Sequence, residues 1–386
     1  MIIRNAKFLL LSVAVALISS VCYGSRHSIT LENDSDLTWN GEFVSVCASE
    51  LDSLMGDDVY RIVDGKGNEV AYQRTHNGAI IFAAEVKPKS QTVYYLEPTV
   101  PATVDTVAYG RLFPERKDDL AWENDRAAYR AYGPALQASG ERAFGYDIWT
   151  KSVPYPVLEK RYYGNQQGVS YHVDHGEGMD AYSVGPTLGG GTSALLDEQG
   201  GIVYPYCFET YDVLDNGPLR FTVRLKYGAT MVNADSAVVE TRVITLDKGS
   251  WLNKTVVRYN GLTKSAQVAS GIVVHRQNPD EYLCDKQAGY MAYADSTDNV
   301  ANDNGVIFVG TVLPDADVIE YVTLDDNRGD AIAHILAKKS YENGEEFTYW
   351  WGSGWSKGGV ANMESWSNYL KDYADKLRSP LKINIK

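Results

Sequence analysis

The clearest pattern in the chain is alternation. Phe221, Val223, Leu225 and Tyr227 are apolar, and Thr222, Arg224 and Lys226 between them are polar. A period of two describes a strand with one wet face. Short β-rich runs recur at 43–47, 59–63, 79–82 and 92–96, and again at 251–259, 268–275 and 307–313. Turn chemistry separates them, as in Asp64-Gly65-Lys66-Gly67-Asn68, Asp215-Asn216-Gly217-Pro218 and Asp247-Lys248-Gly249-Ser250. Many strands at such spacing predict an all-β sandwich rather than alternating βα units. Pro98 and Pro101 mark an extended connector, since proline fixes φ and donates no hydrogen bond. The boundary they suggest divides a small β-rich N-terminal region, 25–104, from a larger β domain, 105–386.

The period changes near the end. Trp366, Leu370, Tyr373 and Leu377 lie at i, i+4, i+7 and i+11, one stripe of an amphipathic helix. Ser379-Pro380 stops it, and 381–385 reads as a last strand. A short second helix is expected over 119–132.

The first 24 residues read as an export signal. Arg4 and Lys7 precede an apolar stretch from Phe8 to Val21, and small residues allow a cut after Gly24. That stretch is too short to span a bilayer core of ~30 Å. A periplasmic or secreted protein is expected. Lipidation at Cys22 is the competing reading, weakened by Val21 before it. Cys47, Cys207 and Cys284 remain; their spacings fit no metal framework and read as structural thiols, with one disulfide open.

The 386 residues carry a formal charge of −14, with no basic face for nucleic acid. Tyrosine is abundant at 27 residues, which suits strands and sugar- or partner-facing surfaces.

The densest polar cluster is 170–180, which holds His172, His175, Glu177 and Asp180. Imidazole titrates near neutral pH and a carboxyl can be tuned towards it, so a His with Glu177 or Asp180 can form an acid/base pair. Two alternatives stand beside this. His172 and His175 with a carboxylate can hold a metal, although the spacing matches no zincin helix, or the segment is a solvated loop. The glycine-rich run 185–192 follows, where backbone can approach a ligand closely.

Arg126 and Arg130, four apart, can clamp a carboxylate or join a structural ion-pair network. Lys151, among Trp149, Tyr155 and Tyr162, can meet an anionic sugar or pack on rings within the fold. Trp351 and Trp355, beside Gly352 and Gly354, offer a stacking platform, or else core. His275 ends an apolar strand, a position that opens to a cleft or belongs to the core. Asp295, Asp298 and Asp303 superficially resemble a calcium loop but lack its closing Glu, so a hydrated turn is the simpler reading. No cofactor is expected; calcium is the metal left open.

Several runs together resemble a secreted Bacteroidota family known as domain of unknown function 4861. They are Trp122-Glu123-Asn124-Asp125-Arg126, Tyr132-Gly133-Pro134-Ala135-Leu136, and His175-Gly176-Glu177-Gly178-Met179-Asp180 with Tyr182 and Gly185. Asn216-Gly217-Pro218-Leu219-Arg220 and Trp351-Gly352-Ser353-Gly354-Trp355-Ser356 belong with them. The resemblance runs from about residue 40 to the C-terminus. It implies a galactose-mutarotase-like β-supersandwich and a setting among pectin and uronic-acid polysaccharide enzymes. No catalytic residue is carried over from it.

The expectation is a periplasmic enzyme using general acid/base chemistry on acidic oligosaccharides, as lyase, hydrolase or epimerase. His172, His175, Glu177 and Asp180 are its candidate acid/base residues. Arg126, Lys151, His275, Trp351 and Trp355 are its candidate substrate contacts. The alternative is a non-catalytic carbohydrate-binding protein of a polysaccharide-utilisation system.

Overall fold

The computed structural model describes residues 26–386, so the expected export signal and Cys22 lie outside the described residues. The chain builds two β-sandwiches of unequal size.

The smaller one pairs a five-stranded sheet with a three-stranded sheet made of Trp39–Cys47, Ala79–Val86 and Tyr72–Arg74. Strand Ser28–Asn33 buries alternate residues, so Ile29 and Leu31 meet Val44, Phe82 and Leu96 in one core. An edge strand of the five-stranded sheet comes from the far end of the chain. Lys382–Ile385 runs antiparallel to Ser28–Asn33, with Ile385 opposite Ile29. Side chains dock this unit on the rest. Gln73 Oε1 accepts from the Leu219 and Arg220 amides at 2.7 and 2.9 Å, and Asp215 accepts from the His76 amide at 2.7 Å.

The larger sandwich has a nine-stranded sheet on one side. Facing it are a five-stranded sheet, which includes Gly190–Leu196, Ala266–His275 and Ala331–Tyr341, and a four-stranded sheet. The four strands are Tyr109–Phe113, Asp119–Glu123, Ala127–Ala131 and Asp147–Thr150. Phe221, Val223 and Leu225 point into the shared core, as their alternation predicts. The fold class is all-β as expected, with a supersandwich behind a smaller β-rich unit and a C-terminal amphipathic helix.

That helix, Met363–Arg378, starts at a reciprocal cap in which Asn362 and Ser365 bond each other's backbone. Its buried stripe of Trp366, Leu370 and Ala374 covers Ala292, Phe308 and Val312 on the outer face of the nine-stranded sheet. The short helix expected over 119–132 does not form. The segment makes two antiparallel strands whose residues are all buried, so no polar face remains to show the period. The outer face of their sheet is covered by helix Leu158–Gln166, where Tyr162 stacks on Phe113 at 3.8 Å between ring centroids.

Cys47, Cys207 and Cys284 are all free thiols. Among the described residues no helix is long and apolar enough to cross a membrane.

Candidate functional site

Two strand ends meet beside the 170–182 segment. His275 is the last residue of its strand, where a register shift at Val274 re-aims the backbone. Asp295 ends strand Tyr290–Asp295 of the opposing sheet. Their side chains meet at 2.6 Å, His275 Nδ1 to Asp295 Oδ2, and both are buried. The second carboxylate oxygen accepts from the Thr297 amide at 2.7 Å. Thr297 holds a φ of 71°, a left-handed conformation that a β-branched residue adopts only at a cost.

With Nδ1 committed to Asp295, Nε2 is the ring nitrogen left for another partner. It is buried and makes no well-aligned hydrogen bond, although the Ser183 backbone lies close enough to favour the charged ring. The Tyr182 hydroxyl is buried and unpartnered, and its ring lies edge-on to the imidazole at 6.0 Å. Buried polar groups are ordinarily satisfied, so two such groups on neighbouring rings single this place out. Burial opposes the imidazolium, but the charge of Asp295 and its hydrogen bond outweigh burial, and the His275 pKa is raised above 6.5. Burial, then the charge of Asp295, pushes the Tyr182 phenol far up, so it stays protonated.

The neighbouring cluster centres on Arg130. It faces Asp147 across the strand pair and contacts that carboxylate at 2.5 Å, Asp180 at 3.1 Å and Asp119 at 3.5 Å. Burial pushes Asp119 up to about 6 despite Arg130 and Arg116. Burial also raises Asp147, and raises Asp180 well above the carboxylate range with the charge of Asp147 adding to it. Three buried carboxyls share these guanidiniums, and burial works against full ionisation of the cluster. His172 lies over it, with Nδ1 3.0 Å from the Asp180 carbonyl oxygen and 3.6 Å from its carboxylate. The Asp298 amide bonds the Ala181 carbonyl at 2.9 Å and ties the two halves together.

The structure therefore joins His172 with Asp180 and places His275 beside them, but scatters the other expected residues. His175 is exposed, with Nε2 3.0 Å from the Ser170 carbonyl. Glu177 is held by Lys160 at 2.8 Å and Tyr155 at 3.0 Å, and the Lys160 hydrogen bond lowers its pKa.

Lys151 is not a clamp. Its Nζ is fully buried between Glu123 and the Asn124 carbonyl, each at 2.6 Å. Trp351 is not a stacking surface either. It lies in the core, parallel to Tyr146 at 4.1 Å, with Nε1 bonded to Thr255 at 2.8 Å. Trp355 is 3% exposed and bonded to the Asn304 carbonyl. In the glycine run, Gly191 serves packing, since a Cβ there would stand 2.6 Å from that of Trp351, while the space beside Gly185 is open.

Arg126 does not share a helix with Arg130. Arg126 precedes strand Ala127–Ala131 and Arg130 lies within it, on the order of 13 Å further along, and Arg126 is exposed over Trp251. Sequence reasoning missed Asp119, Asp147 and the pairing of Asp295 with His275. Tyr182 entered only as a marker residue. Among the described residues no group of three His, Cys, Asp or Glu stands together as a metal site.

Comparison with known proteins gives a family and no activity. The chain is 26% identical over 400 residues to "Uncharacterized protein P7" of Formosa agariphila, with 97% of this chain and 98% of that protein aligned. Among solved structures, 94% of the chain superposes at 10% identity on a protein in glycosyl hydrolase family 38 from Enterococcus faecalis, with a TM-score of 0.49. An α-mannosidase from Enterococcus faecalis V583 gives a TM-score of 0.46 at 10% identity, again over 94% of the chain. The chain spans about half the length of these structures, 47% and 46%. Residues 31–383 match the family described as Domain of unknown function (DUF4861), and the chain belongs to that family.

Proposed function

We propose that the chain is an exported carbohydrate-active enzyme that moves protons on acidic, pectin- or uronate-type oligosaccharides. His275 is the base, oriented by Asp295, and Tyr182 is the facing acid. The observation that carries this reading is the buried Nε2 of His275, which makes no well-aligned hydrogen bond while Nδ1 is fixed on Asp295. A histidine held in one tautomer by a carboxylate presents its other nitrogen to a proton. The substrate class comes from the resemblance and from Arg276. That exposed residue follows His275 and has no ion-pair partner among the described residues, so it is available to a uronate carboxylate.

The same geometry ranks the reactions. Hydrolysis by two carboxyls needs both free to face one bond. Here Asp295 is spent on His275, and Asp119, Asp147 and Asp180 on Arg130. Elimination or epimerisation needs only a base and an acid, which His275 and Tyr182 supply. Binding without turnover is the second reading. It is favoured by the dyad's near closure, His275 being 2% exposed, and by an aromatic cleft elsewhere.

The test is incubation with saturated and unsaturated pectic oligosaccharides, followed by mass spectrometry, absorbance at the unsaturated-uronate band and NMR. Elimination or epimer products that vanish in His275→Ala support the proposal. Hydrolysis products that survive His275→Ala, or binding with no product at all, contradict it.

A further inference from the structure

A cleft of about 590 Å³ opens where the small sandwich, the 247–251 turn and the C-terminal helix meet. It shares no lining residue with the His275 site. Trp39, Glu42, Arg126, Lys248, Trp251 and Tyr373 are among its walls.

Its charges sort into spent and free. Lys376 is paired with Glu42 and Asp372, and Asp247 with Arg220 at 2.6 Å. Asp125 accepts the Gly249 amide at 2.6 Å. Arg126 touches Asp125 only at 3.7 Å and keeps 45% of its side chain exposed. Lys248 is exposed with no ion pair among the described residues. Two cations are thus available to an anion. Trp39 and Trp251 are only partly buried, and the Arg126 guanidinium sits 5.3 Å from the Trp251 ring centre. Rings stack on the C–H faces of a pyranose, and guanidinium matches carboxylate geometry.

We infer that this cleft is a second saccharide site, for a uronic-acid residue whose carboxylate meets Arg126 and Lys248. It holds sugar without transforming it, because no imidazole or unpaired carboxyl is placed to move a proton there. The inference stands whether or not His275 is catalytic.

Calorimetric titration of the full chain tests it, with tetragalacturonate and with the same oligosaccharide methyl-esterified at its carboxyls. Arg126→Met and Lys248→Met change exposed residues, and thermal melting checks their folding. The expected result is binding that weakens roughly tenfold in each variant and on esterification, but stays within about twofold in His275→Ala and His275→Gln. No binding, equal binding of the esterified form, or binding lost in the His275 variants and kept in Arg126→Met would overturn the second site.

Discussion

His275 and Asp295 end strands in opposing sheets of the larger sandwich, and their side chains meet at 2.6 Å where those sheets come together. The pair depends on the closed sandwich. Neither strand presents the site by itself, and the buried imidazole gains an oriented tautomer only when both sheets are in place.

Asp295→Asn separates orientation from presence. The imidazole remains, but its Nδ1 proton loses a carboxylate acceptor. Turnover should fall by roughly 10²–10⁴. The Asp295 charge raises the His275 pKa above 6.5, so the base form is reached only above that value. Its removal should move the rising limb of kcat/KM to lower pH. An unshifted limb would mean that another group titrates.

Tyr182→Phe should split stability from activity. The hydroxyl is buried with no partner, so its loss removes an unsatisfied polar group and should leave Tm unchanged or raise stability by about 1 kcal/mol. Turnover should fall at the same time. A lower Tm with unchanged turnover would make the tyrosine structural.

His334 predicts the acid limit of stability. Burial, then the Arg328 charge, lowers its pKa from 6.5 to about 3, while its Nε2 accepts the Leu188 amide at 3.1 Å. The native state keeps the ring neutral where the unfolded chain protonates it. Its contribution is complete above pH 6.5 and is lost as pH falls towards 3, on the order of 4–5 kcal/mol in all. His334→Gln retains an acceptor and does not titrate, so urea midpoints measured against pH should flatten across that window. An equally steep profile in the variant would assign the acid lability to other groups.

Lys151→Ala should cost stability rather than affinity. It strands Glu123 without its counter-charge in a fully buried position, a loss of about 3–5 kcal/mol. Tm should drop steeply. A raised KM at unchanged Tm would restore Lys151 as a substrate contact.

Much of the fold was legible where burial is one-sided. The alternation at 221–227 and the stripe through Trp366 and Leu370 survive because one face of each stays wet. Asp119–Glu123 and Ala127–Ala131 are buried throughout, which erases the period and led to the helix expected there. The site was legible in parts. His275 announced itself as a polar end to an apolar strand, while Asp295 sat disguised in an acidic turn twenty positions on. Polarity does not reveal burial, so Lys151 and Trp351 read as surface contacts when they are core. No local spacing shows that Asp119, Asp147 and Asp180 converge on Arg130, because only the sheet register brings them together.

On the proposed function, Nε2 of His275 performs the proton transfer. Its most direct test compares turnover and binding of acidic oligosaccharides by the wild-type chain and His275→Gln, which keeps polarity at the site. Turnover should fall at least ~10²-fold with binding changed only a few-fold. Turnover that survives the substitution would contradict it and move the chemistry away from the His275–Asp295 pair.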